Sequence, residues 1–176
     1  MDAFRMMREA ADNGMEYLVM EVSSQAYKVD RVYGLTFDVA AFLNISPDHI
    51  SPIEHPTFED YLYCKRQIIV NAKSLVLGAD SLHADLLRED AAAAGIGATT
   101  FALHDADNAG TSADVVAWPA DTAHASFHIA DGDQTLGDYH LSIDGDFNYL
   151  NAAAAIAIAH AAGVSLDDAG ALHAIE

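Results

Sequence analysis

Three side chains that lie far apart in the sequence, Glu21, His49 and Lys65, have functional groups that could share one site. Glu21 interrupts an apolar run, where a carboxylate is costly to bury without a partner. A carboxylate and an imidazole both suit a divalent cation, but an ammonium group does not, because like charges would be forced together. The residue types alone therefore leave two interpretations open: a cation site, or a solvated carboxylate, a structural histidine and a surface lysine.

Two predicted strands would position the first two groups. Tyr17 to Val22 and Asp38 to Asn44 are apolar runs of strand length, and polar residues follow each of them. In open α/β sheets, ligands bind in the crevice at the carboxyl ends of the strands. We therefore expect Asn44, Asp48 and His49 at the mouth of a site.

A predicted helix over Thr57 to Ala72 would position the lysine. Its start is marked by Pro56 and by the segment Thr57-Phe-Glu-Asp60, which has the form of a capping box. Lys65 follows about two turns later. The amine is thus expected near the strand ends that precede the helix.

The other predicted elements alternate in type along the chain. They are a helix at 2–13 with Gly14 as its C-cap, a polar connection at 25–36, strands at 74–78 and 99–103, and helices at 81–94 and 147–162 with Gly163 as the final stop. This β-α-β rhythm predicts an α/β fold with a doubly wound, mostly parallel sheet.

The rhythm changes in the acidic second half. Short segments at 115–118, 125–129 and 139–143 are separated by Asp-Gly and Gly-Asp pairs, which favours antiparallel strands that close one edge of the sheet. Ser165 to Asp168 reads as a second capping box, opening a helix that still runs at Glu176. The expected division is a β-α-β core at 1–104, antiparallel strands at 105–146 and helices at 147–176.

Composition and charge narrow the class of protein. The 176 residues suit one domain, and the single cysteine, Cys64, excludes an internal disulfide and fits a reducing cytoplasm. The longest apolar run, Ala152 to Ala159, is far shorter than the roughly 20 residues that span a bilayer. We see no signal peptide, and we expect no membrane association.

The formal net charge of −19 is unevenly distributed, because residues 89–176 carry 14 acidic side chains and no lysine or arginine. A nucleic-acid partner needs a basic footprint, so we expect none. An anionic substrate would have to bind through the first half, where Lys28 and Arg31 are two of the few cations. Arg31 is either an ordinary surface residue or an anion contact.

Five successive motifs resemble those of the Mur ligase family. They are MEVSSQ at 20–25, RVYGLTFD at 31–38, FLNISPDH at 42–49, EDYLYCK at 59–65 and FNYLNAAA at 147–154. The similarity covers nearly the whole chain in the right order, which makes it more specific than any single motif. It is closest to the branch that adds the third residue of the peptidoglycan stem peptide, and residues 23–27 and 45–56 resemble its lysine-adding members more than its diaminopimelate-adding members.

The resemblance implies a role for each candidate side chain of the cation site. Glu21 and His49 match the magnesium ligands of the family, and Lys65 matches a lysine that carbon dioxide converts to a carbamate. A carbamate is an anionic oxygen ligand that suits a hard cation, so it removes the charge objection. Lys65 and His49 are accordingly the expected catalytic residues.

The resemblance also implies positions for the two large substrates. Ser23 and Arg31 match residues that hold the UDP-MurNAc-L-Ala-D-Glu substrate. Asn44, Asn148 and Asn151 match positions of the nucleotide site. Asn148 and Asn151 are spaced i, i+3 at a helix start and therefore share a face, although helix capping is an alternative for Asn148.

The implied activity is ATP-driven amide synthesis in the cytoplasm. The γ-phosphate of ATP is transferred to the D-glutamyl carboxylate, and the acyl phosphate is attacked by the amino group of L-lysine or another diamino acid. Magnesium and cationic side chains would neutralise the phosphate charge. In a chain with so few cations, Mg²⁺ would carry much of that task.

The match is incomplete at the ATP site. The family needs a glycine-rich P-loop that ends in Gly-Lys-Ser/Thr, and no Gly-Lys pair occurs in this sequence. We therefore expect a partial central domain, truncated at the P-loop strand, whose uridine-binding and C-terminal domains lie outside it and which is inactive alone. Gln25 and Val29 also depart from the substrate loop of many relatives.

Two other classes of function remain open from the sequence. One is a non-catalytic binding or assembly module that keeps the fold but has lost ATP handling. The other is a related amide ligase such as folylpolyglutamate synthase, although the Ser23-Ser24-Gln25 and Arg31 loop resembles the muramoyl-binding branch. The sequence does not determine the oligomeric state.

Overall fold

The computed structural model describes residues 2–48, 50–104, 112–119, 127–131, 134–141, 143, 145 and 147–165. The helices are α1 (Asp2–Asp12), α2 (Ser24–Lys28), α3 (Phe58–Val70), α4 (Ala84–Ala94) and α5 (Phe147–Ala161). The strands are β1 (Phe37–Phe42), β2 (Ala72–Gly78), β3 (Gly97–Leu103), β4 (Val115–Pro119), β5 (Phe127–Asp131) and β6 (Gln134–Tyr139).

The six strands form one sheet in the order β1-β2-β3-β4-β5-β6. Strands β1 to β4 are parallel to one another, whereas β5 and β6 continue the sheet in antiparallel pairs. Helices cover both faces of the parallel part, with α5 on one side and α3 and α4 on the other. The predicted α/β class with a mostly parallel sheet is confirmed.

Strand β2 shows why a strand in the parallel part of the sheet has a continuously apolar sequence. Leu75 and Leu77 belong to the core under α3 and α4, whereas Val76 between them belongs to the core under α5. All three side chains are fully buried. A strand covered on both faces has no polar alternation, because successive side chains point to opposite faces and both are dry.

Local signals set several helix ends. The Thr57 hydroxyl accepts a hydrogen bond from the Asp60 backbone N–H at 3.2 Å, which confirms the predicted cap of α3. Gly14 follows α1 with φ of +80°, and Gly163 follows α5 with φ of +86°. Glycine adopts this left-handed conformation at helix ends without a Cβ penalty, and both glycines stand where they were predicted.

The predicted strand at Tyr17 to Val22 is wrong. Residues 15–23 have no regular secondary structure, and no described strand pairs with them. The side chain of Val19 is 95% exposed, and Tyr17 and Leu18 are also largely exposed. An apolar run becomes a strand only where a neighbouring strand satisfies its backbone groups, and the sequence pattern cannot report that partner.

Two further predictions need correction. The connection at 25–36 was predicted as a polar connection, but Ser24–Lys28 forms α2, which is too short to show helical periodicity.

The last predicted strand at 139–143 begins where β6 ends. Gly-Asp pairs were expected to separate the strands, yet Gly137 of one such pair lies inside β6 and pairs with Ile129, close to a register irregularity. The predicted helix that opens at Ser165 lies outside the described residues from 166 onward.

Within the described ranges, none of the helices combines the length and the apolar character that crossing a membrane requires.

Candidate functional site

The Lys65 amine lies at the carboxyl end of β1. Its Nζ donates a hydrogen bond to the backbone carbonyl of Asn44 at 2.6 Å, and the Tyr61 hydroxyl is 3.4 Å away. Two aromatic rings lie beside the amine, with centroids at 5.2 Å for Phe42 and 5.5 Å for Tyr61. Strand β1 and helix α3 therefore bring the lysine to the strand end where a site was expected.

Burial lowers the pKa of the Lys65 amine, because the protein interior solvates an ammonium less well than water does. The carboxylate of Asp48 opposes this shift, since a nearby negative charge favours the ammonium form. The net direction is downward, so a larger fraction of this amine is neutral than in an exposed lysine. The neutral amine is the nucleophilic form of the group.

A cavity of about 380 Å³ contains this lysine. It is lined by Glu21, Val22, Ser23, Ser24, Gln25, Glu54, Tyr61 and Lys65. One wall is the segment that leads into α2, and the other is the first half of α3. The structure thus brings Glu21, Ser23 and Lys65 together, although they are separated by up to 44 residues in the sequence.

The other predicted residues occupy different places. His49 lies outside the described residues, so its position stays a prediction. Arg31 is exposed and does not line the cavity, although its backbone N–H bonds to the Ala26 carbonyl at 2.8 Å and holds the turn after α2. Asn44 contributes its backbone carbonyl to Lys65, while the residue itself is exposed.

Asn148 and Asn151 contact each other at the start of α5. The Asn151 side-chain amide donates to the Asn148 side-chain carbonyl at 3.4 Å, and Asn148 is buried. The Asn148 backbone N–H bonds to the Gly145 carbonyl at 2.9 Å. This pair forms a separate polar position on α5, because neither residue lines the cavity.

Ser23 has a structural role besides its place in the cavity wall. Its side-chain oxygen accepts a hydrogen bond from the Ala26 N–H at 3.3 Å, so it is the N-cap of α2. The cap fixes the chain direction just after Glu21.

Sequence reasoning missed a polar network beneath this wall. Ser24 Oγ lies 2.9 Å from His55 Nε2, and His55 Nδ1 lies 2.7 Å from Asp60 Oδ2. The Lys28 ammonium donates to the same Asp60 oxygen at 2.7 Å and to the Glu54 carbonyl at 2.7 Å. Ser24 and His55 are 31 residues apart, so no motif spacing in the sequence predicts their contact. The only hint was a histidine just before a predicted helix.

His55, Asp60 and Cys64 also meet the distance requirement of a metal site, since their ligand atoms lie within 4.8 Å of one another. Their electrostatics oppose it. The Lys28 ammonium already holds the Asp60 oxygen, and burial together with the Asp60 charge raises the pKa of the Cys64 thiol. A protonated thiol is a poor ligand, so the hydrogen-bond network accounts for this cluster better than a cation does.

The fold and the cavity define a class of protein: this chain belongs to the Mur ligase family, as predicted, and residues 1–159 match the Mur ligase middle domain. It is 96% identical over 176 residues to the UDP-N-acetylmuramyl-tripeptide synthetase of Bifidobacterium longum (strain NCC 2705), covering 100% of this chain and 34% of that protein. It is 45% identical over 169 residues to the UDP-N-acetylmuramoyl-L-alanyl-D-glutamate--L-lysine ligase of Streptococcus thermophilus (strain ATCC BAA-491 / LMD-9), covering 96% of this chain and 32% of that protein.

Solved structures show the same architecture. MurF from Acinetobacter baumannii superposes with a TM-score of 0.57 at 25% identity, covering 74% of this chain and 27% of that one. A pseudomurein peptide ligase type C from Methanothermus fervidus superposes with a TM-score of 0.60 at 21% identity, covering 83% and 35%, and at that identity it supports the fold alone. The chain spans about a third of the length of the curated relatives that it matches.

Proposed function

We propose that this chain is a partial central domain of an ATP-dependent amide ligase, which adds the third amino acid of the peptidoglycan stem peptide to UDP-MurNAc-L-Ala-D-Glu. Family membership and the names of the two curated relatives support the reaction class. The observation that carries the proposal is the single cavity that Glu21, Ser23 and Lys65 line together. A metal ligand, a substrate contact and the carbamylated lysine would have to meet in this way.

The donor chemistry of the cavity fits a magnesium ion once Lys65 is modified. The neutral amine of Lys65 attacks the carbon of carbon dioxide and loses one proton, which gives a carbamate with two oxygens and one negative charge. Together with the Glu21 carboxylate this provides hard oxygen ligands, and His49 would add an imidazole nitrogen. A bound Mg²⁺ would supply charge neutralisation for the transferred phosphoryl group.

The chain's own residues prepare the lysine for this modification. The Asn44 carbonyl and the Tyr61 hydroxyl hold Nζ at the end of β1, and the rings of Phe42 and Tyr61 keep it partly dry. Partial burial keeps more of the amine in the neutral form that reacts with carbon dioxide. Lys65 and His49 are the residues to which we assign the catalytic role.

The substrate contacts are assigned from the match of these residues to the motifs of the Mur ligase family. Ser23 and Arg31 are the proposed contacts of the UDP-muramoyl dipeptide, and Asn44, Asn148 and Asn151 those of ATP. In the proposed reaction, the D-glutamyl carboxylate takes the γ-phosphoryl group of ATP, and the amino acid then displaces phosphate from the acyl phosphate to form the amide. L-Lysine is the proposed amino acid, because the relative from Streptococcus thermophilus is named as an L-lysine ligase.

Replacing Lys65 in the full protein that carries this chain tests the proposal. Lys65→Ala should lower magnesium-dependent ligation by about a hundredfold or more, because the anionic ligand is lost. Added formate or acetate should restore part of the rate in Lys65→Ala by supplying a carboxylate, but not in Lys65→Arg, whose guanidinium fills the space. Lys73→Ala is the control, because Lys73 is exposed on β2 and pairs with Asp38.

Equal activity of Lys65→Ala and Lys73→Ala would contradict the proposed function. The 176-residue chain by itself is expected neither to hydrolyse ATP nor to ligate, since it contains no Gly-Lys P-loop signature. Phosphate release measured with MgATP and the muramoyl dipeptide checks this expectation directly.

A further inference from the structure

The network under the cavity connects its two walls. Ser24 and Lys28 belong to α2, Asp60 belongs to α3, and His55 lies in the loop between β1 and α3. His55 is completely buried and Ser24 is 8% exposed. The chain of contacts from Ser24 through His55 to Asp60 and on to Lys28 contains no distance longer than 2.9 Å.

The order of groups is that of a nucleophilic Ser-His-Asp triad, but the surroundings argue against this chemistry. A general base must pass its proton to a leaving group, so its ring must be reachable from the substrate. His55 exposes no surface, and the Lys28 ammonium competes for the carboxylate that would have to stabilise an imidazolium. A nucleophilic role for Ser24 is therefore disfavoured.

The charges of the network select one protonation pattern. Hydrogen bonds from Lys28, and next from His55, hold the pKa of Asp60 below its usual range, so this residue remains a carboxylate. A carboxylate can only accept, so Nδ1 of His55 is the donor in the contact with Asp60. The Ser24 hydroxyl can donate or accept, so it completes the chain of hydrogen bonds at Nε2.

We propose that His55 is a positioning residue, which together with Asp60 and Lys28 forms a clamp that fixes the separation between the cavity wall at 21–25 and the wall at Tyr61 and Lys65. Ser24 itself lines the cavity, and Asp60 directly precedes Tyr61, which lines the opposite wall. The consequence for catalysis rests on the proposed function, because it concerns how the muramoyl dipeptide is held against Lys65.

The clamp predicts a selective kinetic effect. Asp60→Asn keeps the shape of the side chain but removes its charge, and Lys28→Met removes the cation. In the full protein, each should raise KM for the UDP-muramoyl dipeptide by about tenfold and lower kcat, because a small misplacement of reacting groups is costly. KM for ATP should change much less, since the proposed contacts Asn148 and Asn151 lie on α5, whereas the clamp joins α2 to α3.

Asp90→Asn is the matched control. Asp90 of α4 pairs with Arg66 of α3, and its side chain is 28% exposed, compared with 33% for Asp60. Asp90 is not among the residues that line the cavity. Asp90→Asn should lower stability while leaving KM for the dipeptide within about twofold of the wild-type value, as expected for sites without shared partners.

A second measurement does not depend on ligation. Hydrogen exchange in the same full-length variants reports the opening of α2, where the amides of Val29 and Arg31 bond to Gln25 and Ala26. Asp60→Asn should accelerate exchange at these amides by about tenfold, and Asp90→Asn should not. His55→Gln, whose single side-chain amide offers one acceptor and one NH2 donor in place of the two ring nitrogens, should lie between the wild type and Asp60→Asn in both measurements. It also provides a folded variant if His55→Ala does not fold.

The outcomes separate the clamp from the proposed function. If wild-type protein shows no ligation, the proposed function fails, and exchange alone still decides whether the two walls are connected. Faster exchange at α2 with a raised dipeptide KM in Asp60→Asn supports the clamp. The clamp is overturned if Asp60→Asn matches Asp90→Asn in exchange, or if exchange rises while the dipeptide KM remains at the wild-type value.

Discussion

At the scale of single residues, the partial burial of Lys65 is the main electrostatic feature of the cavity. Aromatic rings surround an amine that also has a direct backbone acceptor. Desolvation by burial outweighs these contacts, so the pKa of the amine is lowered. The same lysine therefore carries a measurable effect on stability as well as its proposed chemistry.

The pKa of Lys65 is lower in the folded protein than in the unfolded chain, where a lysine titrates near about 10.4. Below the folded pKa the amine is charged in both states, and folding bears the cost of burying that charge. As pH rises from the folded pKa towards the unfolded value, this cost disappears. The free energy of unfolding of wild type relative to Lys65→Met should therefore rise with pH in that window. Denaturant unfolding of both proteins across the window checks this; a difference independent of pH would contradict it.

Tyr27 provides a second test with the opposite sign. Burial raises the pKa of its phenol to about 12, and its hydroxyl has no hydrogen-bond partner among the described residues. The folded state prefers the neutral phenol, so stability should fall as pH rises from the unfolded value, about 10, towards the folded value. Tyr27→Phe should show less of this alkaline loss, and near neutral pH it should be more stable by about 1 kcal/mol, because an unsatisfied hydroxyl is removed.

Thermal unfolding of Tyr27→Phe near neutral pH and in alkali measures both effects. A lower melting temperature for Tyr27→Phe near neutral pH would mean that the hydroxyl is stabilising after all. Tyr63→Phe is a suitable comparison, because Tyr63 is 63% exposed on α3.

At the scale of elements, helix α3 connects the cavity to the rest of the fold. One side carries Tyr61 and Lys65, and another side carries Arg66, which forms a bidentate pair with Asp90 of α4 at 2.6 Å for both contacts. The hydrogen bonds that the Arg66 guanidinium donates to Asp90 raise its pKa further. This pair attaches α3 to α4 independently of the clamp that attaches it to α2.

Arg66→Lys should destabilise the protein although it conserves the charge. An ammonium cannot reproduce the two parallel hydrogen bonds of a guanidinium, so we expect a loss of about 1–2 kcal/mol in the free energy of unfolding. Arg88→Lys is the control on α4, since Arg88 makes one contact with an Asp85 side chain that is 93% exposed. Denaturant titration of the two variants should separate them; equal stabilities would show that the bidentate geometry is unimportant.

The elements also show what the sequence could and could not predict. Thr57-Phe-Glu-Asp60 is a local signal, and the cap of α3 was predicted to the residue. Tyr17 to Val22 has strand composition, but a strand depends on a partner elsewhere in the chain, and the prediction was wrong. His55 was missed for the same reason, because its partner Ser24 is 31 residues away and only the folded chain brings the two together.

At the scale of the whole molecule, β2 must lie close to the carboxyl end of β1, because Lys65 of α3 is held at that strand end. Gly78 lies at the end of β2, and a Cβ at this position would be 2.3 Å from the backbone carbonyl oxygen of Leu43. Leu43 immediately precedes Asn44, whose carbonyl holds Lys65. The absence of a side chain at Gly78 is thus a requirement of the strand end that forms the cavity.

Gly78→Ala should therefore affect both stability and the site. A backbone atom cannot move aside as a flexible side chain can, so we expect a loss of about 2–3 kcal/mol. Gly97→Ala on neighbouring β3 is the matched control, because a Cβ there would meet no atom within 4 Å. Chemical denaturation measures the difference, and the account requires Gly78→Ala to be clearly the less stable of the two.

The fold as a whole was more accessible to sequence reasoning than the site. Strands and helices differ in the spacing of apolar residues along the sequence, and this spacing is a local property. Their alternation, and with it the parallel sheet, could therefore be predicted. The prediction that Glu21 and Lys65 share one site depended on the family resemblance, because residue types alone left a like-charge conflict. The last strand was predicted at 139–143 instead of at β6, because glycine is typical of turns, whereas Gly137 lies within a strand in the structure.

The central claim is that Lys65 becomes an anionic ligand which shares a hard cation with Glu21. Carbon-13 NMR of the full protein in labelled bicarbonate, with Mn²⁺ as a paramagnetic substitute for Mg²⁺, tests it directly. The account predicts a carbamate resonance that is absent in Lys65→Arg, is broadened by Mn²⁺ in wild type, and is broadened much less in Glu21→Gln. A wild-type spectrum without that resonance, or with a resonance that Mn²⁺ leaves sharp, would contradict it.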